Sequence, residues 1–263
     1  MNLKLEGKRA FISGSTQGIG FAIAQQFLAE KAEVIINGRN EEKTKLAVQK
    51  LQTEFPEAKV SGIKADFGNK DEVATLLNKL TDIDILINNV GIFDLKNLAD
   101  LEDEDWYKIF EINVMSAVRL SKKLLPQMLE KKTGRIIFIS SESGVNIPQN
   151  MIHYGMTKAA MSAVSNGLSK LTIGTEVTVN TILGGPTYSE GVASAVEQIA
   201  SIQNLEVDQM KNIIVQQTNP HSLLQRFIHP SEIASLAVYL SSPLAIATNG
   251  ASLRADGGVL KTI

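Results

Sequence analysis

Short runs rich in Val and Ile alternate with longer stretches whose apolar residues have helical spacing along most of this 263-residue chain. This alternation constrains the fold strongly, because a connection through a helix makes successive strands parallel. We therefore predict an α/β fold in which helices cover both faces of one doubly wound parallel sheet. The predicted strands are residues 9–13, 33–37, 59–64, 83–87, 135–140, 176–181 and 250–254. The predicted helices are residues 18–30, 41–54, 71–80, 106–130 with a break near Asn113, and 152–171.

One long stretch, residues 184–227, has no clear strand pattern. Such a stretch inside a compact domain is usually a lid or a binding loop, so we predict a substrate loop over about 186–227. Its apolar residues indicate an apolar or amphipathic substrate. These residues are Val192, Val196, Ile199, Ile202, Leu205, Met210, Ile213 and Ile214. Neither a Gly/Ser-rich linker nor an internal repeat divides the chain, and we expect residues 1–263 to form a single domain.

Composition argues against several functional classes. Lys and Arg number 26 and Asp and Glu number 28, and the resulting net charge of −2 offers no general basic surface for nucleic acid. The absence of Cys removes disulfides and thiolate zinc sites, and the three His have no paired ligand spacing, so we predict no metal. The N-terminus has no apolar signal region, and no run approaches the roughly 18 to 20 apolar residues of a membrane span. These features predict a cytoplasmic protein with no membrane partner.

The turn after the first predicted strand has the sequence of a phosphate-binding loop. Gly14, Gly18 and Gly20 occur together there and open a helix. Glycines let the backbone approach a pyrophosphate closely, and the helix N-terminus offers free N–H groups and a positive dipole end. The turn therefore predicts a bound nucleotide. The predicted contacts are Gly14, Ser15, Gln17, Gly18, Ile19 and Gly20.

Two further motifs follow. Residues 88–91 read Asn-Asn-Val-Gly after the fourth predicted strand, and residues 154–158 read Tyr-Gly-Met-Thr-Lys. With the glycine turn, and in this order, they resemble the short-chain dehydrogenase/reductase family from about Leu5 to the C-terminus. The resemblance implies a seven-stranded sheet in the order 3-2-1-4-5-6-7 and a nicotinamide cofactor. The chain departs from the family pattern at Val90, where Ala is usual, and at residues 184–187, where Gly-Gly-Pro-Thr replaces the usual Pro-Gly.

The catalytic hypothesis starts from Tyr154 and Lys158, whose spacing of four places them one turn apart on one face of a helix. A nearby cation lowers the pKa of a phenol from its ordinary value of about 10, and a Tyr tuned in this way can exchange a proton with a carbonyl or an alcohol. The family resemblance adds Ser141, 13 residues before Tyr154, as the group that holds the substrate oxygen. It also implies that Asn113 distorts its helix and holds a water linked to Lys158, which binds the nicotinamide ribose.

Residues after the second predicted strand indicate which cofactor is used. Sites that prefer NAD place a carboxylate there to bind the ribose 2′-hydroxyl. The aligned position is Gly38, and Arg39 follows. Because a guanidinium suits a 2′-phosphate, we predict NADP, with NAD possible because no Arg or Lys lies between Gly14 and Gly18. The resemblance adds contacts from Asp66 and Phe67 near the adenine, Asn89 and Gly91 on the adenosine side, and Thr187 and Ser189 near the carboxamide and phosphates.

These observations predict an NADP-dependent oxidoreductase that moves a hydride between its cofactor and a small-molecule carbonyl or secondary alcohol. A catalytically idle NADP-binding regulator is an alternative from another class. An enoyl-thioester reductase is disfavoured, because those relatives have six residues between Tyr and Lys and this chain has three. We also predict a homo-tetramer, because two helices carry apolar residues on more than one face. These residues are Val114, Ala117, Val118, Leu124, Leu125, Ala159, Ala160, Met161 and Ala163.

Overall fold

The computed structural model describes residues 2–261 and contains a sheet of seven parallel strands in the order β3-β2-β1-β4-β5-β6-β7. The predicted fold class and strand order are therefore confirmed. The strands are β1 (Arg9–Ile12), β2 (Glu33–Gly38), β3 (Val60–Lys64), β4 (Ile85–Asn88), β5 (Thr133–Ser141), β6 (Glu176–Gly184) and β7 (Ser252–Ala255).

Helices cover both faces of the sheet. The first strand shows why: Ala10 and Ile12 pack into one hydrophobic core and Phe11 packs into the other. A strand buried on both faces reads as a continuous apolar run, which is the pattern of the central strands. The helices are α1 (Gly18–Ala29), α2 (Glu41–Glu54), α3 (Lys70–Lys79), α4 (Asp103–Phe110), α5 (Ser116–Glu130), α6 (Ile152–Ser169), α7 (Glu190–Gln203), α8 (Val207–Thr218) and α9 (Pro230–Ser241).

The predicted break near Asn113 is present as a single π-helical turn, Glu111–Met115, between α4 and α5. The Asn113 side chain is fully buried there. Its Oδ1 atom accepts a hydrogen bond from the backbone N–H of Ile92 at 2.8 Å, and its Nδ2 atom donates to the Ile92 carbonyl at 2.9 Å and to Thr157 Oγ1 at 3.0 Å. The turn therefore ties the segment after β4 to α6.

The helix α9 was not predicted from the sequence. It packs its apolar face, including Ile233, Ala237 and Leu240, into the same core as α1. A start signal was present, because Pro230 occupies the first helical turn and Glu232 completes a capping box.

The segment expected to be a loop over 186–227 contains the two helices α7 and α8. Val196, Ala200 and Met210 form a small core between them. Most of the apolar residues that the sequence analysis assigned to the substrate pocket therefore hold these helices together or face water, because a helix pair needs a core of its own.

Candidate active site

A cleft of about 1230 Å³ lies at the carboxyl ends of the strands. Ligands of doubly wound sheets bind at this edge. The cleft is lined by the glycine turn, by the segments after β2, β3, β4, β5 and β6, and by the start of α6. It extends to α7 and α8, where Val192 and Ile214 are the residues of the predicted apolar set that face it.

Two asparagines hold the glycine turn against the sheet. Asn37, at the end of β2, accepts a hydrogen bond from the Gly14 N–H at 3.1 Å. Asn89, just after β4, donates its amide to the carbonyls of Ser13 at 3.0 Å and Gly14 at 2.8 Å. The Ser13 hydroxyl in turn accepts from the Asn89 N–H at 2.9 Å. Asn89 lines the cleft, but its amide group positions the turn.

Gly14, Gln17, Gly18 and Ile19 line the cleft, as the sequence analysis expects of nucleotide contacts. Ser15 and Gly20 are buried and do not line it. The Ser15 hydroxyl donates to the Ile12 carbonyl at 2.6 Å and accepts from the Asn37 N–H at 2.9 Å.

Gly20 has a packing role. A Cβ atom there would lie 2.6 Å from the Asn89 amide and 2.6 Å from the Gly14 carbonyl. Ser15 and Gly20 therefore shape the turn without facing its ligand.

The end of β2 explains why no carboxylate stands at position 38. A Cβ atom on Gly38 would lie 2.4 Å from Thr16 Cγ2 and 2.7 Å from Thr44 Oγ1. Arg39 is exposed and lines the cleft, and Lys43, in the first turn of α2, lines it as well. A second cation was expected only inside the glycine turn, whereas Lys43 reaches the cleft from α2 and lines it together with Thr16 of that turn.

The remaining predicted contacts are spread along the cleft. Asp66 and Phe67 line it after β3, and Thr187 and Ser189 line it just before α7. Gly91 is not on the adenosine side, where the sequence analysis placed it. A Cβ atom on Gly91 would lie 3.3 Å from Lys158 Nζ, which puts this glycine at the catalytic end.

The start of α6 brings Tyr154 and Lys158 to the cleft, and β5 ends there with Ser141. Lys158 is buried, and its Nζ atom donates to the Ile139 carbonyl at 3.0 Å. The same atom lies 5.6 Å from the centroid of the Tyr154 ring. The three predicted catalytic side chains thus share one end of the cleft, and Asn113 lies behind them through Thr157.

The sequence predicts that Lys158 lowers the pKa of Tyr154, and the structure gives a different result. The pKa of Tyr154 is raised, not lowered, chiefly by burial and further by the negative charge of Glu142, while its contact with Ser141 opposes the rise. Burial lowers the pKa of Lys158 to about 8, against the opposing pull of Glu142. Glu142 therefore acts on both groups, and the sequence analysis did not single it out.

Glu142 follows Ser141 directly and lines the cleft. Its carboxylate accepts hydrogen bonds from the hydroxyls of Ser141 and Ser143, the latter at 3.1 Å. Burial raises the pKa of Glu142, and the bonds from both serines oppose that rise. A charged residue one position after a predicted catalytic serine was the available signal.

The segment 186–227 is anchored at both ends of its path over the cleft. The Ile228 N–H donates to the Pro186 carbonyl at 2.8 Å, and the Tyr188 N–H donates to the Ile228 carbonyl at 2.9 Å. Glu190, the first residue of α7, accepts a hydrogen bond from the Gly18 N–H at 2.6 Å. An anionic oxygen therefore occupies the N-terminus of α1, where the sequence analysis expects a phosphate.

Comparison with known proteins decides the family. The sequence model of the short chain dehydrogenases matches residues 8–200. The chain belongs to the short-chain dehydrogenase family. The uncharacterized oxidoreductase YvaG of Bacillus subtilis is 43% identical over 263 residues, covering 100% of both chains. D-beta-hydroxybutyrate dehydrogenase of Cupriavidus necator is 31% identical over 258 residues, covering 97% of this chain and 98% of that protein.

One solved structure is similar to this protein over the whole fold. L-sorbose reductase from Gluconobacter frateurii, complexed with NADPH and L-sorbose, superposes with a TM-score of 0.93 at 28% identity and covers 100% of both chains. In this short-chain dehydrogenase, the matched region 8–200 includes the glycine turn and all four predicted catalytic residues. Among residues 2–261, no helix is long and apolar enough to cross a membrane, and no three acidic or His side chains form a group that could hold a metal ion.

Burial of the charged Lys158 should lower the free energy of unfolding of the cofactor-free protein. Its folded-state pKa of about 8 lies below the ordinary value of 10.5, so the folded state loses stability when Lys158 carries its proton. The penalty is full below pH 8 and disappears as the pH rises towards 10.5. We expect Lys158→Met to raise the free energy of unfolding by about 1–3 kcal/mol at pH 7, or roughly 2–4 °C in Tm per kcal/mol.

Thermal unfolding at pH 7 and pH 10 measures this effect. The stability gap between Lys158→Met and wild type should narrow at pH 10. Lys170→Met, at an exposed position just beyond α6, is the matched control and should show no such gap. A Lys158→Met protein that is less stable than wild type at pH 7 contradicts the argument.

Proposed function

We propose that this protein is an NADP-dependent oxidoreductase of the EC 1.1.1 type that interconverts a carbonyl compound and its secondary alcohol. The observation that carries the proposal is the arrangement of one cleft. Tyr154, Ser141 and Lys158 line its catalytic end, and the N-terminus of α1 opens into it. The uncharacterized oxidoreductase and the L-sorbose reductase are relatives of matching length, which supports the same class of reaction.

The residues of the cleft fit a dinucleotide. The Gly18 N–H donates to the Glu190 carboxylate at 2.6 Å, and an oxygen of the pyrophosphate would take the place of that carboxylate. The N-cap residue Gln17 makes no side-chain hydrogen bond that would compete for the helix N-terminus. Arg39 and Lys43 supply two cations beside Thr16, where a 2′-phosphate would be bound. The complex of L-sorbose reductase with NADPH supports NADP as the cofactor. NADPH, when bound, supplies the hydride for the carbonyl carbon.

Tyr154 is the general acid of the reduction. Its phenol is protonated at neutral pH, as even a Tyr with the ordinary pKa of about 10 would be, so it has a proton to give as negative charge develops on the substrate oxygen. Ser141 orients that oxygen beside the phenol. Lys158 brings positive charge to within 5.6 Å of the Tyr154 ring, and Asn113 fixes the backbone around it through Ile92 and Thr157.

The segment 186–227 forms the substrate-covering part of the single domain. Its helices α7 and α8 bring Val192 and Ile214 to the cleft wall. The hydrogen bond from the Gly18 N–H to Glu190 supports a position of this segment over the proposed cofactor site.

A homo-tetramer remains our proposal. Of the residues that first indicated it, Val118, Ala159 and Ala160 are half-buried and Ala163 is exposed, whereas the other five are buried within the protomer, namely Val114, Ala117, Leu124, Leu125 and Met161. Exposed apolar residues on and before α4 support the proposal as well. They are Leu95, Leu98, Tyr107 and Phe110. The cytoplasmic location stays a prediction of the sequence.

Tyr154→Phe should remove turnover while NADPH binding stays near wild type. A phenyl ring fills the same space and cannot transfer a proton, and general acid catalysis contributes about 10²- to 10⁴-fold. NADPH oxidation at 340 nm with a panel of ketones, together with the NADPH dissociation constant, measures both properties. Tyr239→Phe, on α9 and outside the cleft lining, is the matched control. If Tyr154→Phe keeps more than about a tenth of the wild-type rate with chemistry limiting, Tyr154 is not the acid.

Arg39→Ala should weaken NADPH binding by about 10- to 100-fold and leave NADH binding almost unchanged, because a charge-assisted hydrogen bond contributes roughly 1.5–3 kcal/mol. Lys43→Ala should weaken NADPH in the same selective way. Lys45→Ala is the matched control, since Lys45 is two residues after Lys43 on α2, does not line the cleft and pairs with Glu41 at 2.9 Å. Gly38→Asp is a poor test of cofactor preference, because its side chain would clash with Thr16 and Thr44.

Fluorescence titration gives both dissociation constants for each variant. Equal affinity of the wild type for NADH and NADPH would contradict the proposal. An Arg39→Ala variant that loses both cofactors alike would show that Arg39 is structural.

A further inference from the structure

The carboxylate of Glu142 is held at the catalytic end of the cleft by a rigid turn. The Ser143 N–H donates to Ser141 Oγ at 3.1 Å, and the N–H groups of Val145 and Asn146 both donate to the Glu142 carbonyl at 2.9 Å. The side chain is fixed as well, because each of its two oxygens accepts a serine hydroxyl. Glu142 is thus a preorganised acceptor beside the predicted catalytic serine.

The wall around this carboxylate is polar as well as apolar. Gln149 and Asn150, in the segment before α6, line the cleft together with Glu142 and Ser143. Phe93 faces Tyr154 across the catalytic end, with ring centroids 6.3 Å apart. A substrate bound between these groups meets hydrogen-bonding side chains close to the position of its reacting carbonyl.

The Ser141 hydroxyl can donate only one hydrogen bond at a time. A serine hydroxyl has one proton, and in this structure Ser141 donates it to Glu142. Ser141 therefore has no proton for a carbonyl oxygen while that bond persists. A substrate hydroxyl that donates to Glu142 would take the place of Ser141 and let the serine turn its proton to the carbonyl oxygen.

We propose that Glu142 is a specificity-determining residue that selects neutral substrates with a hydroxyl group on the carbon next to the reacting carbonyl, that is, α-hydroxy ketones or, in the oxidation direction, the corresponding diols. This inference rests on the proposed function. An alkyl group at that carbon would leave the carboxylate bonded to Ser141, and an anionic group would be repelled by it. The apolar residues of segment 186–227 indicated an apolar or amphipathic substrate. Glu142 adds a requirement for a hydroxyl group next to the reacting carbonyl.

The test compares matched ketones that differ by one hydroxyl. The pairs are hydroxyacetone with acetone, 3-hydroxy-2-butanone with 2-butanone, and 2-hydroxycyclohexanone with cyclohexanone. We expect wild-type kcat/KM with NADPH to favour the hydroxylated member by about 10- to 100-fold, the range of one hydrogen bond to a charged group. Glu142→Leu should abolish this preference by changing the two kcat/KM values in opposite directions. Its kcat/KM should fall for the hydroxy ketone and rise for the simple ketone, because Ser141 regains its proton.

Two further variants separate recognition from structure. Glu142→Gln keeps the shape and one acceptor oxygen, so part of the preference should return. Glu197→Gln makes the same change at an exposed position on α7 outside the cleft lining and should keep the wild-type ratio. NADPH dissociation constants and Tm values for all variants report on folding.

The outcomes distinguish the two proposals. If the wild type reduces no ketone of the panel, the proposed function fails. If it reduces both members of each pair alike, or prefers the simple ketone, only the role of Glu142 fails. The role of Glu142 would also be overturned if Glu142→Leu kept the wild-type ratio of kcat/KM between hydroxy ketone and simple ketone. The same holds if Glu142→Leu and Glu142→Gln both lowered kcat/KM equally for the two ketones.

Discussion

The parallel pairing of β1 with β2 on one side and β4 on the other determines where this molecule can hold a ligand. Ile12 lies beside Ile36 and Ile87 in register, so the three strands end together. Each strand then continues into a segment that lines the cleft. Asn37 and Asn89 use this proximity to hold the glycine turn from both sides. Without these two side chains the Gly14 N–H and the carbonyls of Ser13 and Gly14 would lose hydrogen-bond partners, which would weaken the turn.

Most of the fold and the outline of the site could be predicted from the sequence. The strands are short and apolar throughout, which is a strong signal for a buried parallel sheet. The break near Asn113 was predicted from the helical pattern. The pairing of Tyr154 with Lys158 was predicted from their spacing, and the family resemblance implied Ser141 beside them. The helices α7, α8 and α9 were not predicted, because their apolar residues were interpreted as a pocket lining or were not assigned. In the structure they form the small core around Val196 and Met210, or pack on α1.

Much of the rest of the site could not be predicted because it depends on how separate elements of the fold come together. Lys43 reaches the cleft beside Arg39 only because α2 starts next to the glycine turn. Glu190 meets the Gly18 N–H across 172 positions of sequence. The pKa of Tyr154 was expected to fall because of Lys158, yet burial and Glu142 raise it. Motif spacing gives the neighbours within one helix but not the burial and charges contributed by other elements.

We propose that the cleft joins a nicotinamide cofactor to a carbonyl compound for direct transfer of a hydride. Two samples of NADPH test this transfer, each carrying deuterium on one of the two faces of the nicotinamide ring at C4. Each sample is incubated separately with the protein and 3-hydroxy-2-butanone. Mass spectrometry of the diol product should find one deuterium on the new carbinol carbon with one labelled cofactor and none with the other, because a fixed cleft presents one face of the ring. Deuterium in neither product, or equal labelling from both cofactors, would contradict the account.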